Sequence, residues 1–254
     1  MLDDVNACAA LVERGDPARF RAAMAAPVSA RAVLFPLYAF NLEVARAPWV
    51  TQEPMIARMR LQWWRDALAE IAEGRMVRRH EVVTPLALAV GAEGALRLQR
   101  LVDGREADVE PSGFADAAAL WSYLEATSAP LIEVAALSLG GGAALAGPAG
   151  RALGLVNWFA AIPALEEAGQ RPLPDGREEA VAELARTALA DLAKVRRGWG
   201  EVPAAARPAY FPLAGIGSLL RRVARQPGLV AAGLVPGEGA RLRLALTAAT
   251  GRMF

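Results

Sequence analysis

What most constrains this chain is a missing pattern. No long alternating run of Val, Ile or Thr occurs anywhere in its 254 residues, and half-buried strands need that period of two. The chain is rich instead in Ala, Leu and Arg, all good helix formers. Apolar periodicity places helices near 3–14, 17–26, 29–47, 52–74, 81–102, 114–126, 129–140, 149–168, 176–198, 207–225 and 238–250. Gly15, Gly74, Gly104 and Gly169 follow helical runs, where C-terminal stops belong. Thr51 precedes the fourth run, with Glu53 and Pro54 in its first turn. No repeat, charge run or Gly/Ser linker divides the chain, so residues 1–254 read as a single all-α domain. "PGLVAAGLVPGEGA", 227–240, is the loosest stretch and leads to a short last helix.

Several function classes fall away on charge and residue usage. The 28 basic and 27 acidic residues leave a net charge of +1, whereas a nucleic-acid partner calls for a basic surplus against phosphate. Cys8 and His80 are the only residues of their types, so neither an intrachain disulfide nor a Cys/His zinc site can form. His80 sits in the polar stretch "RMVRRHEVV" and reads as a surface histidine. The acidic start "MLDDV" is unlike a signal peptide. The most apolar stretch, 134–150, is broken by the glycine run 140–142 and by Pro148. It reads as a buried helix ending at Gly140–Gly142, not a membrane span. These features predict a cytoplasmic protein, with at most peripheral contact with a membrane.

Phosphate-binding and nucleophile motifs are equally scarce. "GGGAALAGPAG" has the glycines of a phosphate loop but no Lys-Ser/Thr and no preceding strand. "GIGSLL" lacks the closing glycine of a nucleophile elbow. That leaves carboxylates. Helical enzymes acting on diphosphates hold Mg²⁺ between acids spaced i, i+4, because that spacing projects both from one face. Asp66 and Glu70 have the spacing, but with Arg65 beside them they read as a solvated face. On the same helix Met55, Met59, Gln62, Trp63, Leu68 and Ile71 are expected to point inward.

A series of short motifs then carries a resemblance. "SARAVLFPLYAFNLEVAR" has an Arg followed by a Tyr-Ala-Phe triplet. "LQWWRDAL", "LVDGREADVE", "LWSYLEATSAPLIEVAALSLGG" and "ALGLVNWFAAIPALEEAGQRPLP" follow it in order. Together, over about residues 19–225, they resemble the squalene/phytoene synthase family. The resemblance implies an isoprenoid synthase-like helical bundle around a central apolar cavity. It also implies Mg²⁺ held by two Asp-x-x-x-Asp motifs that join prenyl diphosphates.

Carried over, the four acid positions fall at Ala45, Trp49, Leu165 and Gly169, none of them a carboxylate. The amides that precede the second motif fall at Trp158 and Ala161. No shift of register rescues a pair, because the neighbours four away from Glu43, Glu166 and Glu167 are Ala39, Ala47, Ile162, Gln170, Pro163 and Arg171. The family cavity would be lined by Tyr38, Phe40, Asn41, Tyr123 and Trp158, with Arg31 and Arg151 as anion-binding candidates. The chain is similar to the branch without Asp-rich motifs, which includes a mitochondrial assembly factor for respiratory complex I. That implies no metal or cofactor, a lost prenyl transfer, and a membrane-complex subunit or a lipid or isoprenoid as partner. A rebuilt prenyltransferase site using Mg²⁺ would have to draw on Asp66, Glu70, Asp103 and Asp108. The remaining alternative is a passive lipid carrier.

Overall fold

A computed structural model describes residues 2–51, 53–234 and 239–253. Among them are ten α-helices and no strand. The helices are α1 (Leu2–Gly15), α2 (Pro17–Ala25), α3 (Val28–Arg46), α4 (Pro54–Ala72) and α5 (Val83–Gly104), then α6 (Ala117–Ser138), α7 (Ala146–Glu167), α8 (Glu178–Gly198), α9 (Ile216–Arg225) and α10 (Gly239–Thr250). The expected helix starts at 52 and 238 lie outside the described residues. Thr51 does not cap α4 directly: its Oγ1 accepts from the Glu53 N–H at 3.1 Å, just before the helix begins at Pro54. Gly74 and Gly169 do stop helices, both with φ in the left-handed region that glycine adopts freely.

Two expected helices, 114–126 and 129–140, are one. α6 runs through Pro130, which is buried. Packing of α6 against α5, α7 and α3 outweighs the local cost of about 3 kcal/mol for an internal proline. The expected helix 207–225 splits instead. Pro208 and Pro212 lie in a 3₁₀ segment, Ala204–Leu213, and Gly215 with φ 88° turns the chain into α9. The glycine run Gly140–Gly142 ends α6 as expected, all three residues having positive φ.

α6 and α7 form the most extensive helix pair, and small residues let them meet. A Cβ on Gly150 would lie 2.5 Å from the Ala129 Cα, so only glycine fits at that crossing. α3 is the one described helix long and apolar enough to cross a membrane, but it is packed against α1, α5 and α6. Its Phe40 ring meets Trp64 of α4 edge-on, centroids 5.3 Å apart. A single buried cluster runs from Cys8 to Val230. The C-terminal helix is also docked: α10 packs on α2 and the 3₁₀ segment, and the Trp199 indole donates to the Gly251 carbonyl at 2.8 Å.

The facing of α4 differs from expectation. Met55 is 73% exposed, Met59 66% exposed, and Gln62 is exposed. Leu68 and Ile71 are buried as expected, but with Ala57, Leu61 and Trp64 rather than with the methionines. At about 100° per residue Ala57, Leu61, Trp64 and Leu68 fall within about 60° of one another, so they form the tighter apolar stripe. Trp63, half-buried, lies on the outer side with the methionines.

Candidate functional site

A cleft with a volume of about 720 Å³ lies between α2, α7, the 3₁₀ segment, α9 and α10. Its α7 wall is Leu153, Val156, Asn157 and Ala160, spaced to share one helix face. Phe211, Ile216 and Leu219 add apolar surface from the opposite side, and Leu244 closes it from α10. The polar residues are Asp16, Arg19 and Arg21 at the start of α2, Asn157, and Arg241.

Local sequence sets the α2 end. Asp16-Pro17 is a strong helix start: the Asp16 carboxylate accepts from the Arg19 N–H at 2.9 Å, and Pro17 needs no donor there. The Arg19 guanidinium returns to the same carboxylate. It also lies 5.9 Å from the centre of the Tyr38 ring. The Tyr38 hydroxyl is buried without a partner, and burial pushes its pKa up, against the pull of Arg19. Arg21 and Arg241 are exposed and have no acidic partner among the described residues. The cleft therefore carries three arginines against one aspartate.

The expected cavity residues lie elsewhere. Tyr38, Phe40, Asn41 and Tyr123 are buried, and none lines this cleft; Trp158 does not line it either. Tyr38, Phe40 and Tyr123 belong to the buried core cluster, and Trp158 packs against it. Tyr123, Trp158 and Phe114 meet at tilted or edge-on angles with ring centres 5.2–5.6 Å apart, and the Trp158 indole donates to the Pro172 carbonyl at 2.8 Å. Asn157, one residue from the expected amide position, is the amide that faces the cleft.

The two expected anion-binding arginines are already engaged. Arg31 donates to the carbonyls of Ala26 at 3.2 Å and Met24 at 2.8 Å, satisfying the C-terminal end of α2. Arg151 grips Asp191 of α8 at 2.7 and 3.1 Å and Glu125 at 2.7 Å. Burial of Asp191 opposes its charge, but hydrogen bonds from Arg151 and Lys194 outweigh that and hold its carboxyl below the usual range.

The acids of a rebuilt site do not converge. Glu70 is held by Arg78 at 2.6 Å, which pulls its carboxyl down to about 2. Asp66 accepts from Gln62 at 2.7 Å, Asp103 from Arg65 at 2.7 Å, and Asp108 from Tyr123 at 2.7 Å and Arg105 at 3.1 Å. His80 is half-buried, not a surface residue. It lies against Trp63 and Trp64, and its Nδ1 accepts from the Val82 N–H at 3.1 Å. Cys8 is buried, and desolvation pushes its thiol up to about 12.

Comparison with known proteins places this architecture. The squalene/phytoene synthase family model matches residues 12–177. The chain belongs to the squalene/phytoene synthase family. A curated relative is the NADH dehydrogenase (ubiquinone) complex I, assembly factor 6 homolog of Drosophila melanogaster. It is 32% identical over 168 residues, covering 61% of this chain and 50% of that protein. The chain thus spans about half the length of that relative. Two solved structures share the fold. A dehydrosqualene synthase with bound ligand superposes with a TM-score of 0.78 at 13% identity, over 98% of this chain and 96% of that one. The squalene synthase HpnC from Alicyclobacillus acidocaldarius superposes with 0.70 at 18% identity, over 88% and 94%.

Metal binding of the family type needs paired carboxylates, and the residues present do not fit it. α3 ends at Arg46, so Ala45 and Trp49 straddle its end, and Trp49 is 48% exposed. α7 ends at Glu167, so Leu165 is buried in the last turn and Gly169 lies in the turn beyond. Neither pair shares a helix face. Among the described residues no group of three or more His, Cys, Asp or Glu side chains comes together. What the motif reading missed is the set Arg19, Arg21, Asn157 and Arg241, which no single motif contains.

Proposed function

We propose that this squalene/phytoene synthase family member has lost Mg²⁺-dependent prenyl transfer and serves as an assembly factor for the respiratory NADH dehydrogenase, complex I. The observation carrying the first half is the side chains at the expected metal positions: Ala45, Trp49, Leu165 and Gly169 offer no carboxylate. A diphosphate leaving group in an apolar cavity needs a divalent cation against its charge, and arginine is not a Lewis acid of that kind. The second half is supported by 32% identity to a protein named as a complex I assembly factor homolog. The protein works without a metal or cofactor, in the cytoplasm at the face of the membrane where that complex is built. Its partner is a subunit of that complex.

Two measurements test this. Purified protein given farnesyl or geranylgeranyl diphosphate with Mg²⁺ should release no diphosphate; release abolished by Asp66→Asn or Asp108→Asn would restore the prenyltransferase reading. Deleting the gene in its native host should reduce assembled NADH dehydrogenase on native gels, and the wild-type chain should restore it. An unchanged level of assembled complex would remove the assembly role.

A further inference from the structure

The outer face of α4 carries apolar surface that the core does not use. Ile56, Met59 and Trp63 fall within about 60° of one another, on the side away from the buried Leu61 and Leu68. Met59 is 66% exposed and Ile56 46%, with Met55 nearby at 73%. A notch of about 410 Å³ opens beside this stripe, with Ile56, Met59, Trp63 and His80 in its lining. Apolar side chains gathered on one exposed helix face mark a contact surface, as scattered ones do not. Two charges flank the stripe. Glu53 stands at the start of α4, and its side chain makes no capping bond. Arg60 lies seven residues on, and two helical turns bring it back to nearly the same edge. Both are exposed, and neither side chain has a charged partner among the described residues. Glu43, the acid in the notch, is held by Arg46 at 3.8 Å. The other arginines of α4, Arg58 and Arg65, are paired with Glu106 and Asp103.

An acid and a base two turns apart on one edge of an apolar stripe are self-complementary. When two such helices pack antiparallel about a two-fold axis, each edge meets its own copy. An axis level with the bond between Ile56 and Ala57 sets Glu53 of each chain opposite Arg60 of the other. A parallel pair would set Arg60 against Arg60. We propose that a second copy of this chain docks on this face, in a symmetric dimer whose α4 helices run antiparallel. The methionines fill the facing notches, and two Glu53–Arg60 pairs close the rim. Methionine suits that place because its unbranched side chain adapts to irregular gaps. The stripe supplies most of the affinity, since exposed ion pairs contribute little. The charge pairs fix direction and register, because a wrong arrangement sets like charges together. The dimer depends on neither a metal nor the assembly role.

The test is sedimentation equilibrium of the full chain over a roughly hundredfold range of concentration, which should show a reversible monomer–dimer equilibrium. Met59→Asp should leave only monomer. Met76→Asp removes an apolar side chain that is 96% exposed but lies beyond α4, and should leave the dimer unchanged. Glu53→Arg and Arg60→Glu each set like charges opposite one another and should each weaken the dimer by at least about tenfold. The variant carrying both exchanges restores opposite charges and should recover to within about threefold of the wild type. Thermal unfolding at concentrations where the chain is monomeric confirms that each variant is folded. Monomer at every concentration, or a dimer indifferent to Met59→Asp, overturns the proposal. So does a dimer that the double exchange fails to restore. Flotation with vesicles of phosphatidylcholine and phosphatidylglycerol covers the other occupant: a monomer that binds them and loses binding on Met59→Asp assigns the face to a bilayer and overturns the dimer. Each of these outcomes leaves the assembly role to the gene deletion that tests it.

Discussion

Asp191 offers a sharp test of how α7 and α8 are joined. Its side chain is 4% exposed and accepts from Arg151 Nε at 2.7 Å, Arg151 Nη2 at 3.1 Å and Lys194 Nζ at 2.8 Å. Lys194 is 54% exposed, so its contribution is small. Asp191→Ala leaves Arg151, 23% exposed, with only Glu125, itself 49% exposed. Removing one partner of a buried pair costs about 3–5 kcal/mol, and the remaining Glu125 puts this site near about 3 kcal/mol. For a chain of this size that corresponds to a fall in Tm of roughly 6–12 °C. The assay is thermal and urea unfolding of wild type, Asp191→Ala, Arg151→Met and the double variant. The double variant should be less destabilised than the sum of the singles, because no buried charge is left alone. The pH dependence has a definite sign. A carboxyl lowered in the folded state stabilises above its unfolded value, about 3.9, and loses that contribution as pH falls through the folded value. Wild type and Asp191→Ala should therefore converge below about pH 3.9. A Tm loss under about 3 °C for Asp191→Ala would refute the structural assignment. So would an Arg151→Met variant that keeps the stability of the wild type.

Three further outcomes follow from burial and pairing. Met59→Ser, on the outer face of α4, should change stability by no more than about 0.5 kcal/mol, while Leu61→Ala two residues on should cost about 2–5 kcal/mol in urea unfolding. Cys8, whose thiol burial has pushed up to about 12, should resist thiol reagents at pH 8 and react only in urea; rapid labelling of the native protein would contradict its placement. Glu70, pulled to about 2 by Arg78, stabilises above its ordinary value and loses that contribution as pH falls toward 2. Glu70→Gln should thus narrow the difference between urea midpoints at pH 5 and pH 3.

The helices were legible because periodicity and glycine stops are local signals. The errors fell where a distant contact decided the outcome. Residues 127–128 looked like a gap between two helices, yet burial between α5 and α7 carries α6 straight through to Ser138. Met55 and Met59 looked like core by hydrophobicity, but the stripe through Leu61 and Trp64 is tighter and buries instead. Arg151 and Asp191 are 40 residues apart, and nothing in either neighbourhood announces the pair. The motif series identified the family, yet the cleft draws Arg21 and Arg241 from helices at opposite ends of the chain. The local signal at hand was Asp16-Pro17-x-Arg19, a cap whose return ion pair could have marked α2 as ordered.

The absence of acids and the presence of free arginines are two sides of one electrostatic argument. Carboxylates clustered in an apolar cavity repel one another and lose hydration, so without metal they raise their pKa values or destabilise the fold. If metal-dependent chemistry is lost, as proposed above, replacing such acids with Ala or Leu relieves that cost and leaves the bundle intact. The same replacement removes the negative potential that would have repelled an anion. Arg21 and Arg241 then act on the cleft unopposed, since the one acid lining it, Asp16, is already held by Arg19. On the proposed metal-free reading the cleft therefore keeps a net positive lining, three arginines against Asp16, with no carboxylate pair to hold a divalent cation.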